Sequence, residues 1–170
     1  APERGGVDPA NRECRAVAPD IAVVLNAGKT HLEFLKDVKG VAREKASLLK
    51  ALGEKGTAVL NFDEPLIKEM ANGLDRETLY FGMRKGADMQ ALCAKSHSGG
   101  GIEFVLKNRD ERTGFALKIE GLHNVYNALA AISVAHCFGF TGKQTAGMLE
   151  SFRQLSAARL VQAQPGDLVA

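Results

Sequence analysis

The sequence predicts an α/β fold: a parallel sheet flanked by helices, with a small antiparallel hairpin. Three observations point there. Residues 21–25 and 57–62 are short, continuous apolar runs, the mark of strands covered on both faces. Between and after them, apolar residues recur at helical spacing. This gives the β-α-β-α-β alternation of parallel strands joined by crossover helices. After Gly101 the texture changes to two short alternating segments around a polar turn, as in a hairpin.

Each element has a local reason. Ile21 to Leu25 follows a proline and is rich in β-branched residues. Val41, Leu48, Leu49 and Leu52 form one helical stripe, and Gly53 stands where a helix C-cap belongs. Thr57 to Phe62, TAVLNF, is the second strand. Asp63, Glu64 and Pro65 open a helix through Ile67, Met70 and Leu74, with acids at its positive end. Thr78 to Gly82 is a third strand. IEFVLKN and TGFALKI, the latter Thr113 to Ile119, flank the turn NRDER. Asn124 is the expected N-cap of a helix running to Phe138 and closed by Gly139. Thr141 with Gln144 makes a capping box for a last helix, reaching about Phe152.

The bulk numbers suit one soluble domain. A chain of 170 residues, 45% hydrophobic and 25% charged, can bury a core. A net charge of +2 gives no argument for nucleic acid or an anionic membrane as partner. Cys14, Cys93 and Cys137 lack metal-type spacing and read as reduced thiols. There is no signal-like start, and no apolar run nears the roughly 18 residues that span a bilayer. A cytoplasmic location is the expectation. The Gly- and Pro-rich start and the apolar last residues, DLVA, both read as boundaries within a longer protein.

Several residues invite a chemical reading. Gly28-Lys29-Thr30 looks like the end of a phosphate-binding loop. That pattern needs a glycine five places earlier, where Val23 stands inside the first strand. A true phosphate cradle is therefore not expected there. His31 follows at the carboxyl end of a parallel strand, where ligands gather in open α/β sheets; a solvated loop histidine is the plain alternative. Lys45 lies on the apolar stripe with Val41, Leu48 and Leu49. It either snorkels to the rim or is a half-buried amine with a tuned pKa. His123, Asn124 and Asn127 open a helix, as caps or as a polar cluster suited to a ligand with acceptor atoms. Arg159 is a surface residue or a reach toward a ligand between domains.

Four segments, in order, resemble the Mur ligase family. PDIAVVLNAGKTHLEFLKDVKGVAREKASLL is similar to its T-N-x-G-x-x-H-L-E strand end followed by a helix with A-x-x-K. TAVLNFDEP is similar to A-V-L-N-x-D-D-P, GLHNVYNALAAISVAHCFG to G-x-H-N-x-x-N-A-L-A-A, and SFRQLSAARL to the segment ending in P-G-R-L. The resemblance runs from about residue 17 to 165. H-L-E and the short loop before the lysine helix are most similar to the members that add D-alanyl-D-alanine to a UDP-linked muramoyl tripeptide.

The resemblance implies an ATP-binding central domain with a P-loop NTPase-like fold. Residues 1–157 would be its later part, and 158–170 a linker into a C-terminal domain. The family's phosphate loop, G-T-x-G-K-T, would belong before residue 1, which implies weak or no ATP hydrolysis by these residues alone; turnover like that of an intact ligase would contradict this. His31, Glu3 and Lys45 would bind Mg²⁺, Lys45 as a carbamate, whose anionic oxygens suit a hard cation. Lys45 would thereby belong to the catalytic set. His123, Asn124 and Asn127 would hold the adenine end of ATP, and Arg159 would lie near the nucleotide at the domain junction. The implied reaction phosphorylates a carboxylate with ATP and then forms an amide; the substrates would be UDP-MurNAc-tripeptide and D-alanyl-D-alanine. Other readings are a non-catalytic binding module of the same fold and a related ligase of the folylpolyglutamate or cyanophycin type.

Overall fold

The computed structural model describes residues 18–26, 45–98, 100–109 and 111–150. Within them, six strands form one sheet in the order β1-β2-β3-β4-β5-β6. They are β1 (Ile21–Val24), β2 (Thr57–Asn61), β3 (Glu77–Gly82), β4 (Met89–Ser96), β5 (Ile102–Asn108) and β6 (Glu111–Leu117). Strands β1 to β4 run parallel, while β5 and β6 turn antiparallel. The helices are α1 (45–50, its described part), α2 (Pro65–Ala71), α3 (Leu122–Cys137) and α4 (Gly142–Glu150).

Side-chain alternation along β2 explains the layers. Ala58 and Leu60 join Leu49, Leu52 and Ile67 on the face covered by α1 and α2. Val59 points the other way, into a cluster with Phe81, Val125, Leu129 and Ile132 under α3. A strand with both faces covered has no room for polar alternation, which is why β2 reads as a continuous apolar run. The hairpin β5–β6 extends the same cluster, and in it Phe104 and Phe115 stack with ring centroids 5.2 Å apart.

The α/β reading with parallel strands and a hairpin holds, with five corrections. First, β4 was absent from the expected elements. Its periodicity breaks at Cys93, which has φ 54° and sits where the register with β5 shifts between Leu92 and Lys95. A bulge of this kind destroys the period-2 signal. The strand also follows β3 through a short loop, 83–88. That suffices because only Phe81 and Gly82 pair with Met89 and Gln90, so the chain need not travel back along the strand. Second, the N-cap of α3 is Gly121 with φ 96°, and Asn124 lies inside the first turn. Its amide donates to the Glu120 carbonyl at 2.6 Å. Third, α2 stops at Ala71, and Leu74 lies beyond Gly73, which takes φ 76°. Fourth, β6 starts at Glu111 and ends at Leu117, shifted from the expected Thr113 to Ile119.

Fifth, the expected cap Gly53 does not close α1, which ends at residue 50, and it lacks the positive φ of such a cap; two other end signals are found as expected. Gly139 has φ 84° and its N–H donates to the His136 carbonyl, closing α3. At α4 the Gln144 Oε1 accepts from the Thr141 N–H at 2.9 Å, and the Gln144 N–H faces Thr141 Oγ1 at 3.4 Å, a reciprocal capping box.

Candidate functional site

Parallel strands that end together leave their last residues at one edge, and here α3 begins beside that edge. The result is a cleft of about 540 Å³. Leu25 and Asn26 from the end of β1, and Asn61, Asp63 and Glu64 from the end of β2, line one side. Met83 and Arg84, after β3, line another, and His123, Tyr126 and Asn127 on α3 close it. Ligands in open α/β sheets bind at this carboxyl edge.

The strand ends are wired together. Asn61 is buried, and its Nδ2 donates to the Leu25 carbonyl at 2.8 Å, while its Oδ1 accepts from the Asp63 N–H at 2.9 Å. Asp63 Oδ2 accepts from the Met83 N–H at 2.6 Å and from the Tyr126 hydroxyl at 2.9 Å. Asp63 Oδ1 accepts from the Arg84 N–H at 3.1 Å. Glu64 is the N-cap of α2 but makes no side-chain capping bond.

Lys45 reaches this edge from α1. Leu49, on the same stripe, is fully buried, which orients the helix. The Lys45 amine donates to the Asn26 carbonyl and lies 3.4 Å from Asn26 Oδ1. Burial pulls its pKa below the ordinary lysine value, and the Glu64 carboxylate works against that fall.

At the other end of the cleft, the Asn127 amide donates to Asn124 Oδ1 at 3.2 Å, a bond that does not use the acceptor capacity of the Asn127 carbonyl oxygen. Asn127 also borders a second, largely apolar cavity of about 210 Å³ with Asn124, Ile119, Ala128 and Leu149. The His123 imidazole folds back over Gly121, where a Cβ would stand 2.6 Å from its Cε1. Only glycine fits that place.

Of the residues singled out by sequence, the structure brings Lys45, His123 and Asn127 to one edge, with Asn124 beside them. Glu3, His31 and Arg159 lie outside the described residues, as do Gly28, Lys29 and Thr30. Val23 lies in β1, so the place where a phosphate loop would need its first glycine is a strand. Among the described residues, no group of three or more His, Cys, Asp or Glu side chains converges to hold a metal. The sequence reading did not single out Asn61, Asp63, Arg84 or Tyr126. The polar string N-F-D-E directly after the apolar TAVL was an available signal for the first two.

A family model described as the Mur ligase middle domain matches residues 5–135. A UDP-N-acetylmuramate--L-alanine ligase of Caldicellulosiruptor bescii is 31% identical over 140 residues, covering 81% of this chain and 30% of that protein. The UDP-N-acetylmuramoyl-tripeptide--D-alanyl-D-alanine ligase of Bacillus subtilis is 32% identical over 139 residues, covering 82% of this chain and 29% of the relative. The solved MurF ligase of Thermotoga maritima in complex with ADP aligns with a TM-score of 0.74 at 25% identity, over 85% of this chain and 33% of that one. The chain therefore spans about 30% of the length of the curated relatives it matches.

Proposed function

The chain belongs to the Mur ligase family, through its middle domain, and from that membership we propose that it forms the nucleotide side of an ATP-dependent, amide-forming ligase of peptidoglycan precursor synthesis. The observation that carries this is the position of Asn127 between two cavities of different character. A purine has apolar faces and a polar edge, and ribose and phosphates are polar throughout. The 210 Å³ pocket suits the base, with Asn124 and Asn127 at its edge. The 540 Å³ cleft suits the sugar and phosphates.

In this reading the Asn127 carbonyl oxygen accepts from the exocyclic amine of adenine, and His123 contacts the nucleotide from the same turn. Arg159 joins from the domain junction. ATP supplies the phosphoryl group that activates a substrate carboxylate for attack by an amine, and Mg²⁺ neutralises charge on that phosphoryl group. His31, Glu3 and Lys45 would hold the cation. The amine of Lys45 faces the carbonyl and the amide oxygen of Asn26, an oxygen-rich place. A carbamate keeps a single N–H on Nζ and so could hold at most one of those contacts, while it brings two anionic oxygens to the same place. Carbamylation therefore needs a bound cation beside it. The depressed amine pKa favours the neutral form that adds carbon dioxide. Labelled bicarbonate should give a carbamate carbon signal in the presence of Mg²⁺ that Lys45→Arg abolishes; its persistence in that variant would remove Lys45 from the metal site.

The substrates we assign are UDP-MurNAc-tripeptide and D-alanyl-D-alanine, supported by the H-L-E motif and by the Bacillus subtilis relative. The equal similarity to an L-alanine ligase makes UDP-N-acetylmuramate with L-alanine the second reading. Amide formation by the protein carrying this segment, with each amine in turn, separates them. Among the described residues no helix is long and apolar enough to cross a membrane. A cytoplasmic site of action follows from the nucleotide-linked substrates.

The base site is testable without phosphates. Adenosine at millimolar concentration should shift the amide NMR signals of Asn124, Asn127 and Ala128. Asn127→Ala should weaken binding about tenfold, the loss of one good hydrogen bond. Signals that move elsewhere, or an unchanged affinity in the variant, would refute the assignment.

A further inference from the structure

Asp63 is in the middle of the cleft wall, yet its carboxylate faces protein groups. Oδ2 takes the Met83 N–H and the Tyr126 hydroxyl, and Oδ1 takes the Arg84 N–H. Its own N–H is held by Asn61, which is held in turn by the Leu25 carbonyl. A hydrogen-bonded line thus crosses the ends of β1, β2 and β3 and reaches α3 through a single contact, the Tyr126 hydroxyl. Gly82 leaves room for it, since a Cβ there would stand 2.8 Å from Asp63 Oδ1.

We infer that Asp63 is a positioning residue, which through Tyr126 fixes the first turns of α3 against the strand ends and so sets the distance between the two halves of the cleft. One half carries Lys45, Asn61 and Glu64; the other carries His123 and Asn127. A helix start held only by apolar packing can slide along its axis, whereas a charge-assisted hydrogen bond fixes one point of it. The functional sense of this latch rests on the nucleotide reading of the cleft, but the latch itself does not.

The test uses the chain with no nucleotide, so its outcome is independent of adenosine binding. Tyr126 is faced by Asp63 and Glu64 from beyond β2, by Arg84 from beyond β3, and by His123 on its own helix. Burial, and next the Asp63 bond, push its phenol up from 10 to about 12. A group whose folded pKa is raised stabilises the fold below the unfolded value and loses that contribution as pH rises through the folded one. The folding constant of wild type over Tyr126→Phe, from urea denaturation, should therefore be about tenfold below pH 10, fall through one as pH rises between 10 and 12, and end below one. In an Asp63→Asn background Tyr126→Phe should make less difference below pH 10, the coupling expected of a direct pair, while the part of the pH dependence that burial causes remains. At neutral pH, Tyr126→Phe should also speed amide exchange at Met83 and Arg84 and displace the His123 and Asn127 signals. A ratio independent of pH, or unmoved signals at the start of α3, would overturn the inference.

Discussion

Asn61→Leu lowers the stability of the chain by about 2–4 kcal/mol, because it strands two partners at once. The Leu25 carbonyl loses its donor and the Asp63 N–H loses its acceptor. Each such group costs about 1–3 kcal/mol when left unpaired away from water. Leucine keeps the γ-branched shape of asparagine but is bulkier, so overpacking at this buried position adds to the polar loss. Urea denaturation checks this as a lower midpoint at unchanged slope. A loss below about 0.5 kcal/mol, the usual scatter of surface substitutions, would mean that Asn61 does not join β1 to β2 as described.

Gly82→Ala is the second large effect. The added Cβ would lie 2.8 Å from Asp63 Oδ1 and 3.1 Å from Oδ2, so the carboxylate has to leave its place. Leaving breaks its bonds to Met83, Arg84 and Tyr126 together. At about 0.5–1.5 kcal/mol net per bond, and more for a charged acceptor, the loss comes to about 2–4 kcal/mol. An Asp63→Ala background makes the account sharper. With no carboxylate to displace, Gly82→Ala should then cost little, and the two changes should be strongly non-additive. Additive losses would show that Gly82 is constrained by something other than Asp63.

Sequence patterns carried the layers of this fold because burial on both faces leaves a plain trace. Ile21–Val24 and Thr57–Asn61 are continuous apolar runs, and Leu49 marks the inner side of α1. The same spacing aimed Lys45 at the sheet edge, where its amine meets Asn26. Strand β4 was hidden because Cys93 takes φ 54° and interrupts the alternation. Asn124 was misplaced by a few residues because asparagine is a good cap, and the sequence does not reveal that Gly121, with φ 96°, already turns the chain. The Asp63–Tyr126 pair joins residues 63 positions apart. No local period reports such a contact; it exists only once α3 has packed against the strand ends. Motifs found the cleft, while the wiring beneath it came from tertiary structure.

The central claim is that Lys45, the end of β2 and the start of α3 border one nucleotide. Mn²⁺ with ADP, added to the isotopically labelled chain in bicarbonate, tests it most directly, because the paramagnetic ion broadens NMR signals according to distance. Broadening should be strongest at Asn26, Lys45, Asn61 and Glu64, weaker at Asn127, and absent at Cys137, about 20 Å along α3 from His123. Broadening centred on Cys137 and Phe140, or spread evenly over the surface, would contradict the account.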